Sequence, residues 1–191
     1  MVMARPVFVE GDSIYLAPLE IEDLETFYRW YNNPDLRMYL IMPYPTTRID
    51  EKDWIEKKTR GKDEVILSIV VKKGSRLIGN VGLHNINRVT RSAMLGIAIG
   101  DLKMASKGFG TEAIRLMLDY GFRTLNLHRI ELFVHDFNDR AISAYKKIGF
   151  VEEGRKREAL YIDGSYHDEL LLAVLKDEWM EKLGNREKGI G

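Results

Sequence analysis

The segment Ser106-Lys107-Gly108-Phe109-Gly110-Thr111-Glu112-Ala113 has the residue types of an anion site. Its two glycines let backbone approach a ligand with no side chain in the way. It opens an apolar-periodic stretch, Ala113, Ile114, Met117, Leu118, Gly121 and Phe122, which predicts a helix over Thr111–Leu125. The first amides of such a helix have no intrahelical acceptor and sit at the positive end of its dipole, an arrangement suited to a pyrophosphate. Thr111 can cap the helix or bond a phosphate oxygen. A plain turn and helix start would use the same glycines. Two familiar phosphate loops are excluded: no Gly-Lys-Ser/Thr follows the last glycine, and the third glycine of a dinucleotide fingerprint is absent.

A second segment, Asn138 to Phe150, reads as a helix with Asn138 as N-cap and Gly149 as its stop. Ala141, Tyr145 and Ile148 share one of its faces. Tyr145 is either a core aromatic on that stripe or a proton donor. The four histidines are dispersed, and none of His84, His128, His135 and His167 forms a metal-ligand pair with another, so no metal is expected. Cysteine is absent, which removes disulfides, a thiolate nucleophile and cysteine-ligated metals.

These segments need elements to hold them. Ile14–Pro18 alternates as a strand, and Glu22–Tyr31 has helical spacing ended by Asn32-Asn33-Pro34. Met42-Pro43-Tyr44-Pro45 is expected as a loop and Asp50–Thr59 as a helix. Val65–Val71, Leu77–Leu83 and Met94–Ile99 read as strands, the first two joined by a turn at Lys72-Lys73-Gly74-Ser75. Gly100–Gly110 is a loop before the long helix. Arg129–Val134 is a strand, Ala159–Ile162 and Tyr166–Val174 a hairpin turned at Asp163-Gly164, and Lys176–Leu183 a helix. The prediction is an α+β fold: one mixed, mostly antiparallel sheet of about seven strands with helices on both faces, in a single domain over residues 1–183, followed by a frayed tail at 184–191.

Lys plus Arg and Asp plus Glu each number 29, so the net charge gives no pull toward nucleic acid or an anionic membrane. No signal peptide or membrane-length apolar run is present; together with the lack of cysteine this predicts a cytoplasmic protein.

The two segments in register, Lys-Gly-Phe-Gly-Thr-Glu-Ala at 107–113 and Asn-x-x-Ala-Ile-x-x-Tyr-x-Lys-x-Gly-Phe at 138–150, resemble the GNAT acetyltransferases. The similarity is strongest to the subgroup holding ribosomal-protein N-terminal acetyltransferases and spermidine N-acetyltransferase. Leu16-Ala17-Pro18-Leu19-Glu20, Leu118-Asp119-Tyr120-Gly121-Phe122, Gly154-x-x-Arg157 and Asp163-Gly164-x-Tyr166-x-Asp168 extend it over about Ile14 to Trp179. Ala105 stands where the family often has Gln or Arg, and Ser106 where glycine is frequent.

The resemblance implies acetyl-CoA as cosubstrate. It assigns the pyrophosphate to Ser106, Lys107, Gly108, Phe109, Gly110 and Thr111. The backbone of Ile97, Ala98 and Ile99 would pair with the pantetheine arm like an added strand. Asn138, Ser143 and Lys147 are carried over as cofactor contacts, and Tyr145 as the acid that protonates the leaving thiolate. Glu131 is the candidate base, with outward-facing alternation as the alternative, and His135 is a second candidate acting through water.

The acceptor must be a deprotonated amine, since an alkylammonium at pKa ~10 has no lone pair. Val70 to Gly82 carries no acidic residue, unlike the middle strands of polyamine-acetylating members, although Glu22, Asp23, Glu25 or Asp35 could serve. That favours a protein or peptide N-terminal amine, with a polyamine or other small amine as the alternative. Tyr39-Leu40-Ile41-Met42-Pro43-Tyr44 is expected either to wall the acceptor cleft or to cover the core. A non-catalytic acetyl-CoA-binding sensor is the reading from another class. The resemblance leaves a homodimer open.

Overall fold

Alternation and helical periodicity resolve into fourteen main elements among residues 5–40, 42–60 and 62–187, which the computed structural model describes. In chain order they are β1 (Val9–Glu10), β2 (Ile14–Pro18), α1 (Leu24–Tyr31), α2 (Pro34–Leu40), α3 (Arg48–Arg60), β3 (Val65–Val71), β4 (Arg76–Asn87), β5 (Ser92–Ile99), α4 (Phe109–Asp119), β6 (Arg129–His135), α5 (Asp139–Ile148), β7 (Val151–Ile162), β8 (Ser165–Leu175) and α6 (Lys176–Glu187). The strands form one mixed sheet of eight in the order β1-β2-β3-β4-β5-β6-β8-β7. The eighth strand beyond the expected seven is β1, two residues too short to carry a pattern of its own. It is held by antiparallel pairing of Val9 with Leu16 and Glu10 with Tyr15.

Two compact units make up the chain: residues up to His84 with Gly96–Met117, and Asn85–Leu95 with the chain from Leu118 onward. In the first, β2, β3 and β4 pair antiparallel. An aromatic cluster lies along α1 and α3: Phe27 stacks on Tyr31 at 5.9 Å, and Trp54 meets both rings edge-on at 6.1 and 6.2 Å. Such pairs add about 0.5–1.5 kcal/mol each beyond simple burial. Asp23 is buried in an ion pair with Arg5, and Ser68 Oγ lies 3.5 Å from its carboxylate.

In the second unit, β6 alternates as the sequence predicts: Ile130, Leu132 and Val134 are buried. β6 pairs antiparallel with β8, and β8 with β7. Trp179 of α6 is 1% exposed, and its indole N–H donates to Asp119 Oδ1 at 2.9 Å, satisfying the donor that burial would otherwise strand.

Several boundaries differ from expectation for local reasons. Asn32-Asn33-Pro34 does end α1, but Pro34 then starts α2, because a proline suits the first helical turn. Of the expected 39–44 loop, Tyr39 and Leu40 therefore belong to α2, and Ile41 lies outside the described residues. The long helix expected to Leu125 runs as α-helix only to Asp119; Tyr120–Thr124 widens into a π turn in which Leu125 N–H reaches the Tyr120 carbonyl. β7 begins eight residues before the expected Ala159, since its burial pattern is almost wholly exposed and shows no alternation. Of the tail expected to fray, 184–187 are helical in α6, and 188–191 lie outside the described residues.

Candidate active site

The glycine segment opens α4 as its residue types suggest. Ser106 and Gly108 both take the left-handed conformation, at φ 60° and +88°, and Gly108 has open space where a Cβ would stand. The first helical bond is Glu112 N–H to the Gly108 carbonyl, 3.0 Å, so the amides of Phe109, Gly110 and Thr111 precede it and have no intrahelical acceptor. The Glu112 side chain anchors the helix instead. Its Oε1 accepts from the backbone of Ser13 at 2.9 Å and Ile14 at 3.3 Å, tying α4 to the start of β2. The residues before the glycines form a short 3₁₀ turn at Leu102–Met104, capped by Asp101, whose carboxylate also pairs with Arg76.

In this same unit the outer half of β5 is approached closely on several sides. A Cβ on Gly110 would touch Ile97 and Ile99 at 3.6–3.8 Å, so the start of α4 lies on the strand to which the family resemblance assigns the pantetheine arm. A Cβ on Gly79 would collide with the Ala98 carbonyl, and one on Gly100 with the Trp30 ring. A Cβ on Gly96 would come 3.0 Å from His84 Nε2. The parallel register of β5 with β6 covers Ser92–Met94 against Arg129–Glu131 and stops there; the strand then continues through Leu95–Ile99.

Beside the strand lie polar groups that the sequence did not flag. Tyr31 Oη accepts from Asn80 Nδ2 at 2.5 Å; burial, opposed by this bond and aided by the charge of Glu51, pushes the phenol well above its ordinary range. Glu51 is 2% exposed, and its Oε1 has no hydrogen-bond partner among the described residues. Burial pushes its carboxyl up to about 7. Glu64 takes both its oxygens to Lys58 Nζ, at 2.8 and 2.6 Å, and its Oε2 also faces His84 Nδ1 at 3.2 Å. Burial would raise the Glu64 carboxyl, but the bonds from Lys58 and His84 outweigh it and hold the group below its ordinary value. His84 on β4 and Glu64 just before β3 are twenty residues apart, so the sequence presents His84 as isolated. Glu51 looks like any acid on a polar helix.

In the second unit, Asn138 caps α5 with its side-chain oxygen accepting from Ala141 N–H at 3.2 Å. Tyr145 is half-buried, its ring edge-on to Phe150 at 5.7 Å, and its carbonyl accepts from both Gly149 and Phe150. Burial pushes its hydroxyl up to about 12. Ser143 and Lys147 are exposed on the same helix. Glu131 is bound by Arg129, Nε to Oε2 at 2.9 Å, and the same guanidinium takes Glu153. His135 is buried with its ring against Phe137. The structure thus groups Ile97, Ala98, Ile99 and Ser106–Thr111 in the first unit, and Glu131, Asn138, Ser143, Tyr145 and Lys147 in the second.

Residues 13–151 match the acetyltransferase (GNAT) domain family. The chain is a GNAT acetyltransferase. As a member of that family it is an acyltransferase that takes its acetyl group from acetyl-CoA and delivers it to an amine. The open amides of α4 and the bare backbone at Gly108 fit the phosphates of that donor. This GNAT enzyme is 31% identical to the spermidine N(1)-acetyltransferase of Escherichia coli (strain K12), over 88% of this chain and 89% of that one. It also resembles the Bacillus subtilis protein YdaF, described as a candidate ribosomal N-acetyltransferase, at 36% identity over 54% of this chain and 56% of that one. The crystal structure of spermidine N-acetyltransferase from Vibrio cholerae in complex with CoA and spermine superimposes with a TM-score of 0.82, at 32% identity, covering 89% of this chain and 99% of that one. Among the described residues of the GNAT enzyme, no helix is long and apolar enough to cross a membrane.

Proposed function

We propose that this enzyme acetylates a small polyamine of the spermidine class. The observation that carries the reading is the extent of the similarity. Spermidine acetyltransferases from two bacteria match along nearly their whole length, whereas the ribosomal relative matches over about half. It outweighs the preference for a peptide N-terminal amine, which rested on the lack of acids from Val70 to Gly82.

The acid that a polycation needs has a candidate on another element. Glu51 of α3 is buried, its Oε1 is unpartnered among the described residues, and it acts electrostatically on Tyr31 within the Phe27, Tyr31 and Trp54 cluster. An alkylammonium would neutralise that carboxylate and lie against aromatic faces, a pairing worth about 2 kcal/mol or more once desolvated. The acids first considered are less suited. Asp23 and Glu25 are already paired with Arg5 and Arg48, and Glu22 and Asp35 are not buried.

The donor side follows the family correspondence. Amides of Phe109, Gly110 and Thr111 hold the pyrophosphate, and the backbone of Ile97–Ile99 takes the pantetheine arm as an added strand; the end of the β5–β6 register at Met94 supports this. Tyr145 is the general acid. With its hydroxyl near pKa 12 it stays protonated throughout the working range. Full transfer to a free thiolate, whose conjugate acid has pKa ~8.5, is uphill by about 5 kcal/mol. Tyr145 therefore acts chiefly by hydrogen-bonding the sulfur as the C–S bond breaks. Glu131 is poorly suited as base, because accepting a proton would give up its pair with Arg129.

The test is a competition between acceptors. Release of free CoA thiol is followed with spermidine, and with a peptide bearing a free N-terminal alanine. The expected result is a kcat/KM for spermidine at least about tenfold above that for the peptide, a gap of about 1.4 kcal/mol. The reverse order would restore the peptide reading, and no thiol release with any amine would favour the sensor.

A further inference from the structure

We infer that His84, held by Glu64, is the general base that deprotonates the acceptor amine. The inference rests on the proposed function in one respect: the acetyl donor lies along Ile97–Ile99.

His84 sits on β4, and Gly96 immediately precedes that segment of β5. A Cβ at position 96 would press on the edge of the His84 ring, 3.0 Å from Nε2 and 3.2 Å from Cδ2. The imidazole therefore lies over the backbone at the entry to the donor strand. Its other nitrogen, Nδ1, faces Glu64 Oε2 at 3.2 Å. A carboxylate at Nδ1 selects the tautomer with hydrogen there and leaves the Nε2 lone pair as the acceptor. The Glu64 carboxylate is itself fixed by Lys58, which bonds both oxygens. Lys58 of α3 and Glu64 before β3 are the charged groups that face His84 through this contact. The His84 side chain keeps 31% of its surface exposed, so a substrate can reach it, while Glu64 at 16% is more sheltered. This is a base, an orienting carboxylate and a clamp on that carboxylate, assembled beside a glycine that makes room for the ring.

In the reaction, Nε2 takes one proton from the acceptor ammonium and later passes it to water. The freed lone pair forms the C–N bond at the thioester carbonyl carbon, the C–S bond breaks, and the sulfur leaves as the thiol. The proton it gains is balanced by the second proton shed from the nitrogen as it becomes an amide. The net change is ammonium plus thioester to amide, thiol and one proton. His84 is the catalytic residue and Glu64 a positioning residue.

The deciding experiment measures kcat against pH for the wild type, His84→Gln and Glu64→Gln with acetyl-CoA and spermidine, and in parallel with the alanine peptide. General-base assistance is worth about 10²–10⁴-fold. His84→Gln should therefore lower kcat by about 10²-fold at pH ~7. The gap should close to within about threefold near pH 10, where the amine is already free. Glu64→Gln should show a smaller loss at neutral pH, and acetyl-CoA affinity and thermal melting should stay near wild type for both variants. A gap that stays constant with pH, or wild-type kcat in His84→Gln, would overturn the assignment while leaving the acetyltransferase reading intact. A wild type inactive with both acceptors would remove the acceptor reading and the base with it. A His84→Gln variant that is active at alkaline but not at neutral pH supports the base role even if its stability is reduced.

Discussion

At the scale of single residues, Glu51 and Tyr145 show how burial adjusts chemistry in opposite ways. Burial raises both groups. For the carboxyl this brings titration to about 7, and for the phenol it moves titration further from neutrality. For Glu51 the folded protein binds a proton that the unfolded chain, titrating near 4.5, releases. Stability should therefore fall as pH rises from about 4.5 to about 7 and stay reduced above that window. Glu51→Gln should remove this slope and gain about 2 kcal/mol at pH ~8, as read from urea unfolding at several pH values. It should also raise the KM for spermidine if the carboxylate receives an ammonium. A variant no more stable than wild type under those alkaline conditions would contradict the buried-acid account. For Tyr145, removal of the hydroxyl in Tyr145→Phe should lower kcat by on the order of 10²-fold, with acetyl-CoA affinity nearly unchanged by calorimetry. Undiminished turnover would return the residue to the core role that the helix stripe allows it.

At the scale of elements, the conformation of the loop into α4 was legible because its glycines act through the backbone. Two glycines before a periodic helix announce free amides, and the structure has Gly108 in the left-handed region with open space before it. Gly108→Ala would impose a left-handed strain of about 1–2 kcal/mol on the loop. The expected readout is a Kd for acetyl-CoA weakened about tenfold, with a small change in melting temperature. An unaltered Kd would argue that the loop does not hold the phosphates. The proposed acceptor side was less legible for a physical reason. His84 meets Glu64, and Tyr31 meets Asn80, across elements that share no local pattern, and Glu51 lies on a helix whose sequence is largely polar. Periodicity reports which face is apolar, and a buried acid on a polar helix violates the only rule available. The same logic explains the missed α2 and the early start of β7. One is a proline-started helix of seven residues, and the other an exposed strand whose side chains do not alternate between water and core.

At the scale of the molecule, the α+β layout and the mixed sheet followed from the order of strands, glycine loop, helices and hairpin, with the two-residue β1 as the addition. What the layout could not supply was the acceptor, because one fold hosts many amine substrates and the choice lies in a few side chains. Transfer of an acetyl group from acetyl-CoA to a polyamine is the central proposal. The most direct measurement incubates the protein with acetyl-CoA and spermidine, and quantifies N-acetylspermidine by mass spectrometry alongside free CoA thiol. Both products should accumulate together in equal amounts, and neither should form without the protein. Thiol released without acetylated spermidine, or neither product from well-folded protein, would contradict it.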